Sequence, residues 1–229
     1  MKQPYIFESI KNKELNANEA IIMFPDIYGQ TDYSKRTAEE FVEAFNKPVF
    51  MFDYFYMVTG KVSNFGENNR DEVHNLMDTF MADRFVVFFR ESLTEIKKTN
   101  PLIKQFIIIG FCFGGRLAYI AGGDPEITKV FSFYGSGANT LGYVLAKTPI
   151  EYLISKRKES DLKVFSFFGA RDQSIPEIDR LKIKEELTKA KISYESHEYD
   201  AGHAYFQEGR PNYDPIASDA SWEVLRQCL

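Results

Sequence analysis

Continuous apolar runs and amphipathic stretches alternate along the chain, and their periods predict its elements. Short runs, most of them rich in Ile, Val and Phe, predict strands over Ala20–Phe24, Pro48–Phe52, Gln105–Gly110, Lys129–Tyr134, Lys163–Phe168 and Ser193–Tyr199. Stretches with helical spacing predict helices over Ser34–Phe45, Arg70–Lys98 (with room for a break), Gly114–Ala121, Ile178–Ala190 and Asp214–Arg226. Strands alternating with helices imply a mostly parallel central sheet covered by helices on its faces, an α/β architecture. Several strands end in turns marked by Gly or Asp: Pro25-Asp26-Ile27-Tyr28-Gly29, Gly110, Gly135 and Gly169. Ligands of open α/β sheets sit at the carboxyl ends of the strands, so chemistry is expected in the loops that follow these runs.

Composition narrows the picture. A chain of 229 residues suffices for one α/β domain, and no repeat, low-complexity tract or composition shift marks a linker. One domain over residues 1–229 is therefore expected. The 21 Phe residues point to a bulky, aromatic core. A net charge of −5 with interspersed signs argues against a nucleic-acid partner. No run reaches the ~18 apolar residues of a membrane span, and Met1-Lys2-Gln3-Pro4 opens no apolar leader. A cytoplasmic location, with no membrane association and a monomer or small homo-oligomer, is the expectation. Three scattered His without ligand spacing leave nothing to hold zinc, and no cofactor or metal is implied.

The most informative segment is Ile107-Ile108-Ile109-Gly110-Phe111-Cys112-Phe113-Gly114-Gly115-Arg116. It is an apolar strand running into Gly-x-Cys-x-Gly and then a helix. A nucleophile on such a turn stands proud of the sheet edge, and the flanking glycines let backbones approach too closely for a Cβ. Nucleophilic catalysis also needs a base and a group to orient it. The chain supplies Asp172 in Gly-Ala-Arg-Asp and His203 in Ala-Gly-His, each just past a predicted strand. Cys, Asp and His thus follow in the chain order of an α/β-hydrolase triad and are placed at one edge of the sheet. His74 falls within an amphipathic helix and His197 within a strand, which makes both poorer bases. A disulfide between Cys112 and Cys228 is not expected, because it would consume the elbow thiol.

These residues resemble the dienelactone hydrolase family of α/β hydrolases. The resemblance rests on Gly-Phe-Cys-Phe-Gly-Gly at Cys112, Gly-Ala-Arg-Asp at Asp172 and Ala-Gly-His-Ala-Tyr-Phe at His203. Pro25-Asp26-Ile27-Tyr28-Gly29 and Asp53-Tyr54-Phe55 add to it, and it covers the chain from about residue 5 onward. It implies an α/β-hydrolase fold and hydrolysis of a small ester or lactone through Cys112, Asp172 and His203, by way of a thiol ester. It further implies an oxyanion hole from the backbone N–H groups of Ile27 and Phe113. Asp26 stands where the family has a thiol-contacting Glu, one methylene longer. Arg70, Tyr205 and Gln207 are the substrate-binding candidates. At position 207 the family pattern that binds a substrate carboxylate has Arg, and Arg210 lies close by without matching it.

Two other readings share the elbow. Glutamine amidotransferases also carry Gly-x-Cys-x-Gly, but usually with a Gln where this chain has Arg116 and with a later His-x-Glu that it lacks. A non-catalytic scaffold that senses oxidants through Cys112 would keep the fold without turnover.

Overall fold

The computed structural model describes residues 6–9, 18–66, 69–141 and 146–229. Its strands are β1 (Ile6–Ser9), β2 (Glu19–Phe24), β3 (Val49–Phe52), β4 (Gln105–Phe111), β5 (Ile127–Phe133), β6 (Lys163–Gly169) and β7 (Ser193–Tyr199). They form one sheet in the order β1-β3-β2-β4-β5-β6-β7. All neighbours pair in parallel except β1, which runs antiparallel along β3. The helices are α1 (Asp32–Phe45), α2 (Tyr56–Thr59), α3 (Arg70–Asp78), α4 (Ala82–Thr99), α5 (Phe113–Ala121), α6 (Pro149–Arg157), α7 (Glu177–Lys189) and α8 (Pro215–Cys228).

The six expected strands are all present, β7 with its limits unchanged. The central ones are buried on both faces, as their unbroken apolar runs require. Phenylalanines stack across strand pairs in register: Phe131 on Phe165 at 4.7 Å between ring centroids and Phe133 on Phe167 at 4.2 Å. A second aromatic group, Phe24, Phe52, Phe85 and Phe89, joins β2 and β3 to α4. Aromatic pairs of this kind add about 0.5–1.5 kcal/mol each beyond the area they bury.

The stretch expected as one helix from Arg70 to Lys98 is two, α3 and α4, with Thr79-Phe80-Met81 between them. Phe80 is buried against Tyr54 and Phe113, so the break lets an aromatic ring turn inward toward the elbow. Three elements are additional to those the periodicity predicts: β1, α2 and α6. Helix α6 begins with a capping box, in which the Thr148 hydroxyl accepts from the Glu151 N–H and the Glu151 carboxylate accepts from the Thr148 N–H.

Candidate active site

Strand β4 delivers Cys112 to the carboxyl edge in a conformation that few non-glycine residues adopt, φ 54° and ψ −118°. Such a backbone costs about 1–3 kcal/mol and persists only where its surroundings over-determine it. Here the Cys112 N–H donates to the Phe133 carbonyl of β5 (3.0 Å), and its carbonyl accepts from Arg116 N–H (3.0 Å) to open α5. A Cβ at Gly110 would collide with the Gly114 carbonyl, and one at Gly114 with the carbonyls of Phe24 and Pro25. The strand, helix and β2 loop therefore meet at contact distances that only glycine permits. Cys112 is half-buried at the resulting apex.

The acid and base come from neighbouring loops joined by main-chain bonds. Ala170 N–H donates to Tyr199 O (2.7 Å) and Arg171 N–H to Ala201 O (3.0 Å). Gly169 makes this possible, since a Cβ there would strike the Ala201 and Gly202 carbonyls. Asp172 is buried, with one carboxylate oxygen accepting from Ser174 N–H (2.9 Å) and the other 2.6 Å from His203 Nδ1. That contact leaves Nε2 as the ring nitrogen for Cys112, whose sulfur lies within electrostatic reach of the imidazole. Burial alone would lower the His203 pKa. The sulfur of Cys112 and the Asp172 carboxylate outweigh it and push the group up to about 10.

The β2 loop holds the opposite side. Tyr54 is fully buried and its hydroxyl donates to the carbonyls of Pro25 (3.1 Å) and Asp26 (2.6 Å), fixing the peptide units ahead of Ile27. The Ile27 N–H makes no hydrogen bond among the described residues. Phe113 is the first residue of α5, and its ring packs against Tyr54, Phe55 and Phe80. Neither Tyr54 nor Phe80 was expected as part of the site; Asp53-Tyr54-Phe55 after a strand was the signal available for the first.

Asp26 does not reach the thiol through any described contact. Its carboxylate accepts from Tyr28 N–H (2.9 Å) and the Tyr33 hydroxyl (2.9 and 3.1 Å), and Arg210 Nε lies 3.3 Å away. The Arg210 guanidinium also sits over the rings of Tyr28 and Tyr33, 4.9 and 5.3 Å from their centroids. Burial raises the Asp26 pKa, while Arg210, the Tyr28 N–H, Tyr33 and His203 oppose the rise. The shorter acid is thus held in an arginine–tyrosine cage.

The three substrate-binding candidates lie elsewhere or are already engaged. Arg70 is exposed at the start of α3, its Nε 3.5 Å from His74 Nε2, and no described contact joins it to Cys112 or His203. Tyr205 is fully buried with its hydroxyl 3.1 Å from Ser221 Oγ, a core residue beneath the site. Gln207 is buried with Nε2 donating to Thr37 Oγ1 (3.3 Å), and it lines a cavity of about 480 Å³ between α1 and α8. Beside the Asp172–His203 pair lies another cavity of about 500 Å³, lined also by Arg171, Ser174, Asn212 and Asp214. Among the described residues no group of His, Cys, Asp and Glu could hold a metal ion, and no helix is long and apolar enough to cross a membrane.

Comparison with known proteins agrees with this architecture. A protein of Synechocystis sp. assigned as a carboxymethylenebutenolidase is 33% identical over 140 residues, 60% of this chain and 55% of that protein. The chain spans about half the length of the curated relatives it matches. A Klebsiella pneumoniae crystal structure assigned as a dienelactone hydrolase superposes with a TM-score of 0.79 at 16% identity, covering 96% of this chain and 90% of that one. A dienelactone hydrolase-like promiscuous phosphotriesterase from metagenomic libraries superposes at 0.67 and 18% identity, covering 92% and 84%. These two likenesses establish the α/β-hydrolase fold. The family model for dienelactone hydrolases matches residues 7–229, nearly the whole sequence, and the chain belongs to the dienelactone hydrolase family.

Proposed function

We propose that the protein hydrolyses a small ester or lactone, with Cys112 as nucleophile, His203 as base and acid, and Asp172 as the group that orients His203. The observation that supports this reading is the 2.6 Å contact of His203 Nδ1 with Asp172, with the Cys112 sulfur within electrostatic reach of the same imidazole at one rim of the sheet. The Cys112 sulfur, as thiolate paired with the His203 imidazolium, attacks the substrate carbonyl carbon. The carbonyl π electrons move to oxygen, which the N–H groups of Ile27 and Phe113 receive. Collapse re-forms the carbonyl and breaks the carbon–oxygen single bond, and the leaving oxygen takes the proton from His203 Nε2. Water then attacks the thiol ester and gives its proton to His203. The second collapse releases the carboxylic acid and the Cys112 thiolate.

An oxyanion donor contributes about 3–4 kcal/mol in well-studied acyl transfers, so the β2 loop that presents Ile27 contributes to the chemistry alongside the thiol. Thiolates leave more readily than alkoxides, which favours lactones and activated esters over amides, because their stable leaving groups limit return to substrate. Arg210 gives the pocket a guanidinium that a substrate carboxylate can engage in a bidentate manner. Asp26 holds it in the unliganded protein, so an anionic substrate competes with an internal carboxylate.

The test is hydrolysis of a p-nitrophenyl ester with rapid acid quench and mass analysis of the peptides. The expected result is an acyl adduct on the Cys112 peptide, loss of turnover in Cys112→Ala and near-wild-type turnover in Cys228→Ala. Turnover that persists in Cys112→Ala rejects the assignment.

A further inference from the structure

Helices α1 and α8 and the loop after His203 border a cavity of about 480 Å³ that the reaction proposed above does not use. Four carboxylates line it: Glu40 and Glu43 from α1, Glu208 from the loop and Asp219 from α8. The rings of Phe206 and Trp222, 5.6 Å apart, form an apolar wall beside them. Arg226 is the one cation among the described lining residues, and it pairs with Glu223 (2.5 Å). Burial raises the Glu40 pKa, Arg36 opposes the rise, and the like charges of Glu208, Glu43 and Glu39 add to it. The four acids do not form a group that could hold a metal ion. An acidic face of this kind is, by itself, ordinary solvated surface.

Gln207 sets this cavity apart. It is only 1% exposed, it lines the cavity, and its Oε1 has no hydrogen-bond partner among the described residues. A neighbour decides which amide atom is left over. Thr37 Oγ1 donates its single proton to the Tyr33 carbonyl (3.0 Å), so toward Gln207 it can only accept. The amide atom 3.3 Å from it is therefore Nε2, and the oxygen is the orphan. A buried acceptor without a donor is unfavourable, and leucine would fill the space without that cost. Packing alone does not account for a glutamine here. In a cavity lined by carboxylates, the complement to a lone acceptor is a donor that carries positive charge. Acids spread over three elements suit several separated charges, and the Phe206–Trp222 wall suits the methylenes between them.

We propose that this cavity is a second binding site, for a linear organic polyammonium: one ammonium donates to Gln207 Oε1, the others pair with the surrounding carboxylates, and the methylenes lie against Trp222. The site stands apart from the chemistry at Cys112 and does not depend on it. Trp222 is the single tryptophan of the chain, so its emission reports directly on occupancy. The experiment titrates the full chain with spermidine at low ionic strength and follows that emission. The expected result is a saturable change, absent with the neutral analogue 1,4-butanediol. The Kd should rise about tenfold in Gln207→Leu, which removes the acceptor and keeps the bulk. It should rise about fivefold in the double variant Glu40→Gln, Asp219→Asn. The double variant changes acids that are not fully buried, so it keeps the test decisive should Gln207→Leu fail to fold. An unchanged Kd in either folded variant overturns the proposal. So does a change that never saturates. Displacement of spermidine by Mg²⁺ at equal charge concentration overturns it as well, since that marks diffuse attraction to an acidic face rather than a fitted site.

Discussion

The two sides of the Cys112 sulfur are held in different ways. On the His203 side the main chain does the holding: the loops after β6 and β7 are joined by backbone bonds, and Gly169 allows their contact. On the Asp26 side a cage of side chains does it, assembled from Tyr28, Tyr33 and Arg210, which come from opposite ends of the chain. A backbone-held arrangement tolerates little substitution, whereas a side-chain cage can be rebuilt from a different position. In this chain the cage draws its cation, Arg210, from the loop after His203.

Substitutions can break each side in turn. Asp172→Asn leaves the loops joined but disturbs the His203 tautomer and should lower kcat about 10⁴-fold, as in other triads, with little change in KM. A fall of less than tenfold would show that Asp172 does not orient the base. Gly114→Ala drives a methyl group into the carbonyls of Phe24 and Pro25. Denaturant titration should show a loss of at least about 3 kcal/mol that no second substitution in the cage recovers. Arg210→Gln leaves Asp26 buried without its cation and should cost about 3 kcal/mol by the same measurement. Adding Asp26→Asn should restore most of that stability while the weakened binding of carboxylated substrates remains. If the double variant is as unstable as the single one, the cage is not a paired unit.

The proton on His203 offers a smaller, graded probe. Its folded pKa of about 10 lies above the ordinary imidazole value. The stability it contributes is therefore fully present below about pH 6.5 and is lost as pH rises through about 10. Ring resonances followed by NMR should titrate in that alkaline range and shift to lower pH in Cys112→Ala. A midpoint unaffected by that substitution would mean the sulfur is not what holds the proton.

Much of the reacting side could be read in the amino-acid order. Gly110, Cys112 and Gly114 lie at the end of an apolar run, Asp172 and His203 lie a few residues past the ends of β6 and β7, and steric demands on the backbone tie residue type to position at the elbow. The cage could not be read in this way. Arg210 approaches Asp26 only through the path of the loop after His203, and nothing local to position 210 specifies that path. Gln207 was expected at the pocket because of its distance from His203 along the chain; the loop instead turns it into the cavity beside α1. Helix α6 was missed although Thr148-Pro149-Ile150-Glu151 is a capping box with proline at the first turn, because its apolar face is short. Strand β1 has only four residues at an edge, too few for periodicity to register.

His203 owes its position to β7, the outermost strand on its side, with a largely exposed, polar sequence and only β6 as a ladder partner. Outer strands fray at lower free energies than central ones. Warming should then peel β7 from the sheet and carry the imidazole away from its carboxylate while the aromatic interior stays intact. Inactivation would precede melting, and amide exchange along Ser193–Tyr199 would accelerate at the temperature where turnover declines.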